Sequence, residues 1–356
     1  MRKELHDRLQ THIDFWNGGK GSLILIPAGN VELYNTSGYK DRFYNPQIMF
    51  DYELSRTRGV LDWPTDGLPA IRPNLGTVFV PAIAGQDFII SDENMPWPGE
   101  PLTRDALAGL KDIDIDRSDI MKLACDFFRL CSSNKPDASA YLPDTQGIFD
   151  IAHLLYGDNI FYDIADAEHK QWITDYLEDV CGLYIKVSEK LKRALGEPAN
   201  TMMHGHGREQ GLYFPNAGVR ISEDTATLLS PAMIDEFVMP HIHKASKHFG
   251  GSFIHFCGRH QYLYEAMVKD ECVRAIDLGN PEMYDSRWLL EKCAGSNTVF
   301  YGKLSALDNE DWKTYINRLA ALVKDTGARC VLRPDIFPSG RDECNRMYEM
   351  WHKLTE

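Results

Sequence analysis

The run Phe253-Ile254-His255-Phe256-Cys257-Gly258 sets an imidazole and a thiol one residue apart at the end of an apolar, strand-like segment. Side chains of an extended chain alternate with period two, so His255 and Cys257 point the same way. Two soft donors so placed are half of a tetrahedral zinc site, and a glycine stops the strand just beyond them. The same pair can also be plain packing, because cysteine is among the most buried residue types. The neighbouring segments decide between the two.

From Gly218 onward the pattern is regular. A strand over Gly218–Ser222 leads to a helix that opens at Ser230-Pro231, with serine at the cap and proline in the first turn, and runs towards Phe249. Four more strand–helix units follow. Their strands are Ser252–Phe256, Cys272–Leu278, Thr298–Gly302 and Ala328–Leu332, and their helices Gln261–Val268, Ser286–Cys293, Asp311–Asp325 and Arg341–Leu354. Such repeats mean parallel strands with helical crossovers. The first half offers strands at Leu23–Pro27, Thr77–Ala82 and Ala138–Leu142, a weaker one at Gly59–Trp63, and helices over Arg117–Leu130 and Ala167–Leu195. The proline-rich stretch from Pro96 to Pro101 reads as a surface loop. The expectation is an α/β fold: one domain over 1–356, a (β/α)8 TIM barrel with additional N-terminal helices, residues 1–60 forming the extension and 61–356 the barrel. An open doubly wound sheet is the alternative, against which no Gly-x-Gly-x-x-Gly follows any strand.

Composition narrows the function. The 356 residues carry a formal charge of −14, from 52 acidic and 38 basic side chains. That disfavours nucleic acid and anionic membranes as partners, since both need a basic surface. Eight cysteines without a CxxC pair read as reduced thiols of a cytoplasmic protein. No signal peptide is visible, and no apolar stretch approaches bilayer length.

A barrel's active site lies where its strands end. Those ends deliver Asp66; Asp144 and Gln146; Glu223 and Asp224; His255 and Cys257; Asp277 and Asn280; Lys303; and Arg333 with Asp335. The run from Val219 to Ala226, the run from Leu229 to Pro240, the His255 segment, Ile276-Asp277-Leu278-Gly279-Asn280-Pro281 and the stretch Tyr141–Ala152 together resemble the uroporphyrinogen decarboxylase superfamily, in order, from Tyr141 to the C-terminus. In decarboxylases of that superfamily an arginine-rich N-terminal loop binds the tetrapyrrole. The corresponding Ile26-Pro27-Ala28-Gly29-Asn30 has no arginine, which leaves a metal-free decarboxylase or tetrapyrrole-binding protein as the alternative reading.

The resemblance favours the branch of zinc-dependent methyltransferases that pass a methyl group between a small methylated substrate and a corrinoid (cobalamin) carried on a partner protein. It implies Zn2+ held by His255 and Cys257, with Glu223 as a further ligand. The branch's distant cysteine is missing after the last strand, and Asp335 is the expected oxygen substitute. Cys330 has the opposite parity to Arg333 and Asp335 and should face the helices. Asp144, Asp224, Asn280 and Lys303 are the residues expected to serve catalysis, and His204, His206 and Arg333 to bind the cofactor. Met203-His204-Gly205-His206-Gly207-Arg208 reads as a mobile loop over the cavity, and His241, His243 and His248 as solvated surface. A homodimer is left open.

Overall fold

The computed structural model describes residues 3–19, 21–28 and 37–356, so Gly29 and Asn30 of the N-terminal loop lie outside the described residues. The strands among them are β1 (Leu23–Ile24), β2 (Leu68–Ile71), β3 (Phe88–Ile89), β4 (Trp97–Pro98), β5 (Ser139–Ala140), β6 (Met202–His204), β7 (Gln210–Phe214), β8 (Val219–Ser222), β9 (Ser252–Phe256), β10 (Val273–Leu278), β11 (Val299–Gly302) and β12 (Cys330–Leu332). Six of these form one parallel sheet in the order β1-β12-β11-β10-β9-β8, and each strand from β8 to β12 is followed by a helix.

Period-two alternation sorts the side chains of this sheet. Leu23, Phe253, Ala275, Val299 and Val331 share an inner apolar cluster with Phe214, while Ile24, Ile254, Ile276, Phe300 and Cys330 join the larger core beneath the helices. Cys330 therefore faces outward and is fully buried. The helix expected from Pro231 to Phe249 contains a π-type turn at Ile234–Val238 just before Met239–His248. Pro240 lacks an N–H, and a wider turn ahead of it accommodates the missing bond.

The first half departs from eight regular parallel strands. A second sheet runs β5-β2-β7-β6, in which β2 and β5 are parallel, whereas β2–β7 and β6–β7 are antiparallel. The result is a mixed α/β, TIM-barrel-like fold whose two sheets, among the described residues, are joined by isolated bonds rather than by a strand ladder. At one seam Ile24 N donates to Asp66 Oδ2 (2.7 Å), Asp66 N to Ile24 O (2.9 Å) and Gln210 Nε2 to Ile26 O (2.9 Å). Asp66, expected at the rim, thus completes the edge of β1. Because β1 belongs to the main sheet, residues 1–60 are not solely a helical extension.

Two strand expectations are corrected as well. Thr77–Ala82 runs into the helix Phe79–Ile83, and Gly59–Trp63 contains a 3-10 turn at Val60–Asp62. A short apolar run carries no period that separates a buried strand from a buried helix, and Pro81 cannot donate to a ladder but fits a first helical turn. Phe88–Ile89 and Trp97–Pro98 make a small hairpin in which Trp97 is exposed. No described helix is long and apolar enough to cross a membrane.

The N-terminal helix Lys3–Trp16 is tied in by polar groups. Arg8 donates to the carbonyls of Val60, Leu61, Trp63 and Gly67. His12, fully buried, has Nε2 at 2.8 Å from Asp66 O and Nδ1 at 3.1 Å from Tyr213 N. Both bonds form only in the neutral tautomer that carries its proton on Nε2. Burial pulls the His12 pKa down to about 4. A base depressed in the folded state binds fewer protons there than in the unfolded chain. Its contribution is therefore complete above the ordinary histidine value and is lost as pH falls from about 6.5 to about 4. Unfolding titrations across that window should show a loss of up to about 3 kcal/mol from this group, and a His12→Gln variant should show a visibly flatter dependence.

Candidate active site

Strand register assembles the centre. His255 of β9 is the lateral partner of Asp277 in β10, and Ser222 of β8 is the partner of His255 on the other side. His255 Nδ1 lies 3.2 Å from Asp277 Oδ2, and both side chains are buried. When Nδ1–H donates to that carboxylate, the Nε2 lone pair is turned towards Cys257 and Asp224. Nε2 is 3.5 Å from Cys257 Sγ and 3.9 Å from Asp224 Oδ1, and the same Asp224 oxygen accepts from Cys257 N at 2.6 Å. The three donor atoms of Asp224, His255 and Cys257 lie within 4.8 Å of one another.

Those separations suit a metal. Tetrahedral bonds of 2.0–2.3 Å place neighbouring donors roughly 3.3–3.8 Å apart. An imidazole whose other ring nitrogen donates to a carboxylate, as His255 Nδ1 does to Asp277, is the usual support for a ligating histidine. His206 joins from the β6–β7 turn, its ring centre 4.4 Å from that of His255 and its Nδ1 3.5 Å from Asp277 Oδ2. His206 Nδ1 and Asp277 Oδ1 are buried without a hydrogen-bond partner. The backbone leaves no slack around these groups. A Cβ at Gly279 would come within 2.4 Å of Cys257 Sγ, and one at Gly302, whose φ is +154°, within 2.7 Å of Asp277 Oδ1. A cavity of about 510 Å³ opens here, lined by His206, Arg208, His255, Cys257, Asp277, Lys303, Arg333 and Asp335 among others. A larger one of 610 Å³, around Leu54 and Asp62, is remote from these groups and contains no histidine or cysteine.

The electrostatics are those of a site short of cations near sulfur. Burial, then Asp224 and Asp277, push the Cys257 thiol up to about 12. Burial alone would raise Asp277, but the Arg333 charge and the bond from His255 hold it well below the usual carboxylate range. Burial followed by the charge of Arg220 keeps His204 and His206 neutral, well below the ordinary histidine value.

Several expected residues stand elsewhere. The Glu223 carboxylate is fully buried and accepts from the backbone N–H groups of Ile148, Phe149 and Asp150 at 2.7–3.3 Å, so it caps the helix Ile148–Tyr156 and is not at the His255–Cys257 pair. Asp224, next in sequence, takes that place. Asp335 lines the cavity but is 3.2 Å from Lys303 Nζ and accepts from Ala306 N, so both Asp335 and Lys303 are occupied at the rim. Asp144 pairs with Arg220 at 2.8 Å and Arg72 at 3.7 Å and does not line the cavity. Asn280 accepts from Gly258 N and donates to Glu282, which steadies the loop after Cys257 and leaves Asn280 no reacting atom to meet. His204 packs between Tyr141 and Phe253 inside the barrel. The stretch expected as a mobile loop is the end of a paired hairpin that fixes His206 against His255.

Sequence reading gave Asp277 no role, although its place at the end of β10 and its parity with Ala275 point it inward. It missed Arg208 for want of any periodic signal. It also missed Asp150, whose carboxylate accepts from Asp224 N (2.9 Å) and Thr225 N (2.7 Å).

No family model matches the chain, and no curated protein matches it in sequence. Among solved structures, a methyltransferase from Methanosarcina mazei shares the fold, with a TM-score of 0.65 over 98% of this chain and 98% of its own at 15% identity. At that identity the likeness is one of architecture.

The raised thiol gives a direct check. In metal-free protein at pH 8, Cys257 should be alkylated by iodoacetamide at least tenfold more slowly than in the unfolded chain, since only the thiolate reacts. The rate should still be climbing above pH 10, and Asp224→Asn should speed it, as read by mass spectrometry of the Cys257 peptide.

Proposed function

We propose that this protein is a zinc-dependent methyltransferase that moves a methyl group between a small methylated substrate and a corrinoid held on a separate protein. The observation that carries the reading is the donor set Asp224, His255 and Cys257 at the mouth of a TIM-barrel-like fold, with Asp277 bracing His255 from behind. The shared architecture with a methyltransferase supports it. So do Leu228, Met283, Leu307 and Phe337, which stand exposed on the segments that follow β8, β10, β11 and β12 of the one sheet. Exposed apolar side chains gathered around a cavity suit a macromolecular partner.

In this reading the three side chains hold the cation, and His206 and Asp277 stand behind them. Bound zinc supplies Lewis acidity towards the substrate oxygen, nitrogen or sulfur that gives up or accepts the methyl group. The protein's part is to keep His255 in the tautomer that offers Nε2, to surrender the Cys257 proton that burial and the nearby carboxylates otherwise retain, and to let Cys257 and Asp277 pack closely against Gly279 and Gly302. One thiolate with an imidazole and a carboxylate makes a harder donor set than two thiolates, which favours an oxygen- or nitrogen-bound methyl group over a thiol acceptor.

Metal analysis tests this. After zinc is supplied and excess removed, the wild type should retain close to one zinc per chain, and Cys257→Ala and His255→Ala should retain none. Asp224→Asn should bind at least tenfold more weakly, and Asp335→Asn as tightly as the wild type. A wild type that holds no zinc would end the methyl-transfer reading and leave a metal-free member of the same architecture. Loss of zinc in Asp335→Asn but not in Asp224→Asn would overturn the ligand assignment.

A further inference from the structure

The same cavity carries guanidinium donors that no side chain of the protein engages in an ion pair among the described residues. Arg333 follows β12 with the inward parity of Val331, and its guanidinium lies over the Tyr301 ring, 5.5 Å from the centroid. Its Nε and Nη1 are buried and make no hydrogen bond of ordinary geometry, although the Tyr301 hydroxyl, itself without such a bond, acts on the group from close by. An unpaired donor on a buried cation costs more than almost any other polar group, and such groups are normally satisfied. The nearest acid, Asp277, attracts Arg333, yet no hydrogen bond or ion pair joins them among the described residues, and Asp277 Oδ2 is taken by His255.

Arg208 comes to the cavity from the hairpin turn after His206. Its side chain makes no hydrogen bond or ion pair among the described residues, and after burial the strongest influence on it is the like charge of Arg333. Two guanidinium groups are therefore held near each other, with Asp277 the one carboxylate that acts on both and no hydrogen bond or ion pair from either arginine to it among the described residues. The other acids on these walls are committed: Asp335 to Lys303 and Ala306 N, and Glu282 to Asn280. Both arginines also line an adjoining space of about 300 Å³, so they stand where the two hollows meet; Glu209 lines that second space and attracts Arg208, but it does not line the 510 Å³ cavity.

We infer that Arg333, assisted by Arg208, is the receptor for an anionic group on the substrate, so that the molecule handled here is a small acid. The inference rests on the reading that the 510 Å³ cavity is the substrate site. Guanidinium groups bind carboxylate, sulfonate and phosphate through charge-assisted hydrogen bonds, and pairing with any of them would satisfy the two orphaned donors. Because His255, Cys257 and both arginines line one cavity, a single small molecule can present its charged end to the arginines and its methyl-bearing atom to the thiol–imidazole pair.

Thermal-shift titrations with acetate, methanesulfonate and inorganic phosphate, at ionic strength matched with chloride, test this on the zinc-loaded protein, with acetamide as the neutral counterpart of acetate. At least one anion should stabilise the wild type saturably at millimolar concentration, while acetamide does not. The strongest of the three names the carboxylate, sulfonate or phosphate class. Arg333→Gln should weaken that anion at least tenfold and Arg208→Gln by a smaller factor, both with zinc content unchanged. Arg208→Gln, on the exposed side, carries the test if Arg333→Gln does not fold. Absence of any effect beyond chloride, or unchanged binding in the folded variants, overturns the inference. Anion binding that persists in a wild type unable to hold zinc would remove the methyl-transfer reading and leave the anion receptor standing. Retained zinc with no anion binding would remove the receptor alone.

Discussion

The pairing of β9 with β10 is the constraint on which the site depends. That register sets His255 beside Asp277. A slip of one residue would turn both side chains out among the helices and bring Ile254 or Ile276 into the cavity, because the side-chain period is two. The slip is prevented lower in the same strands, where Phe253 and Ala275 occupy the inner cluster and Ile254 and Ile276 the outer core. Apolar packing thus sets the position of a polar pair that could not specify its own. A buried carboxylate at Asp277 is tolerable because the bond from His255 on the adjacent β9 and the charge of Arg333, two strands away after β12, offset its burial.

A second interaction transmits this order to the edge of the sheet. Glu223 caps the helix Ile148–Tyr156, and Asp150, in the first turn of that helix, returns the favour to the backbone of Asp224 and Thr225. Burial first raises both above the usual carboxylate range, followed by the charge of Asp224 on Asp150 and the charge of Asp150 on Glu223. The N–H groups they accept from offset part of that cost. The exchange locks the turn after β8 in place and directs the Asp224 carboxylate at Cys257 N. Asp224 is half-exposed and belongs to no helix, so this backbone clamp is what makes it a dependable donor.

The second half of the chain was legible because its strands and helices announce themselves by period, and the structure follows them to within a residue or two at most ends. His255, Cys257 and the outward turn of Cys330 came from the same alternation. What could not be read had a different origin. Glu223 and Asp224 are adjacent acids after one strand, and only the position of the helix starting at Ile148 decides which is drawn away from the cavity. His206 depended on the antiparallel pairing of β6 with β7, whose glycine-rich turn looks in sequence like a loop. Thr77–Ala82 was misread because a buried apolar run has no amphipathic period. The resemblance placed Asp335 at the metal, but Lys303 from the neighbouring strand end competes for it, a contact between segments about thirty residues apart.

The proposed metal would account for the electrostatics of the donor set. Burial, then Asp224 and Asp277, hold the Cys257 proton on, and the charge of Arg220 offsets them only in part. Arg333 does not perform that service, since its field acts first on Asp277. A divalent ion between Asp224, His255 and Cys257 would reverse the balance: the carboxylate that opposes ionisation of the thiol would become its co-ligand, and the proton would be released on binding. The same ion would add to the positive field of Arg333 and Arg208 in a cavity whose remaining acids are already engaged. Zinc and an anionic substrate would then stabilise each other's binding, in a cavity where Arg208, Lys303 and Arg333 by themselves only match Asp277, Glu282 and Asp335 in number.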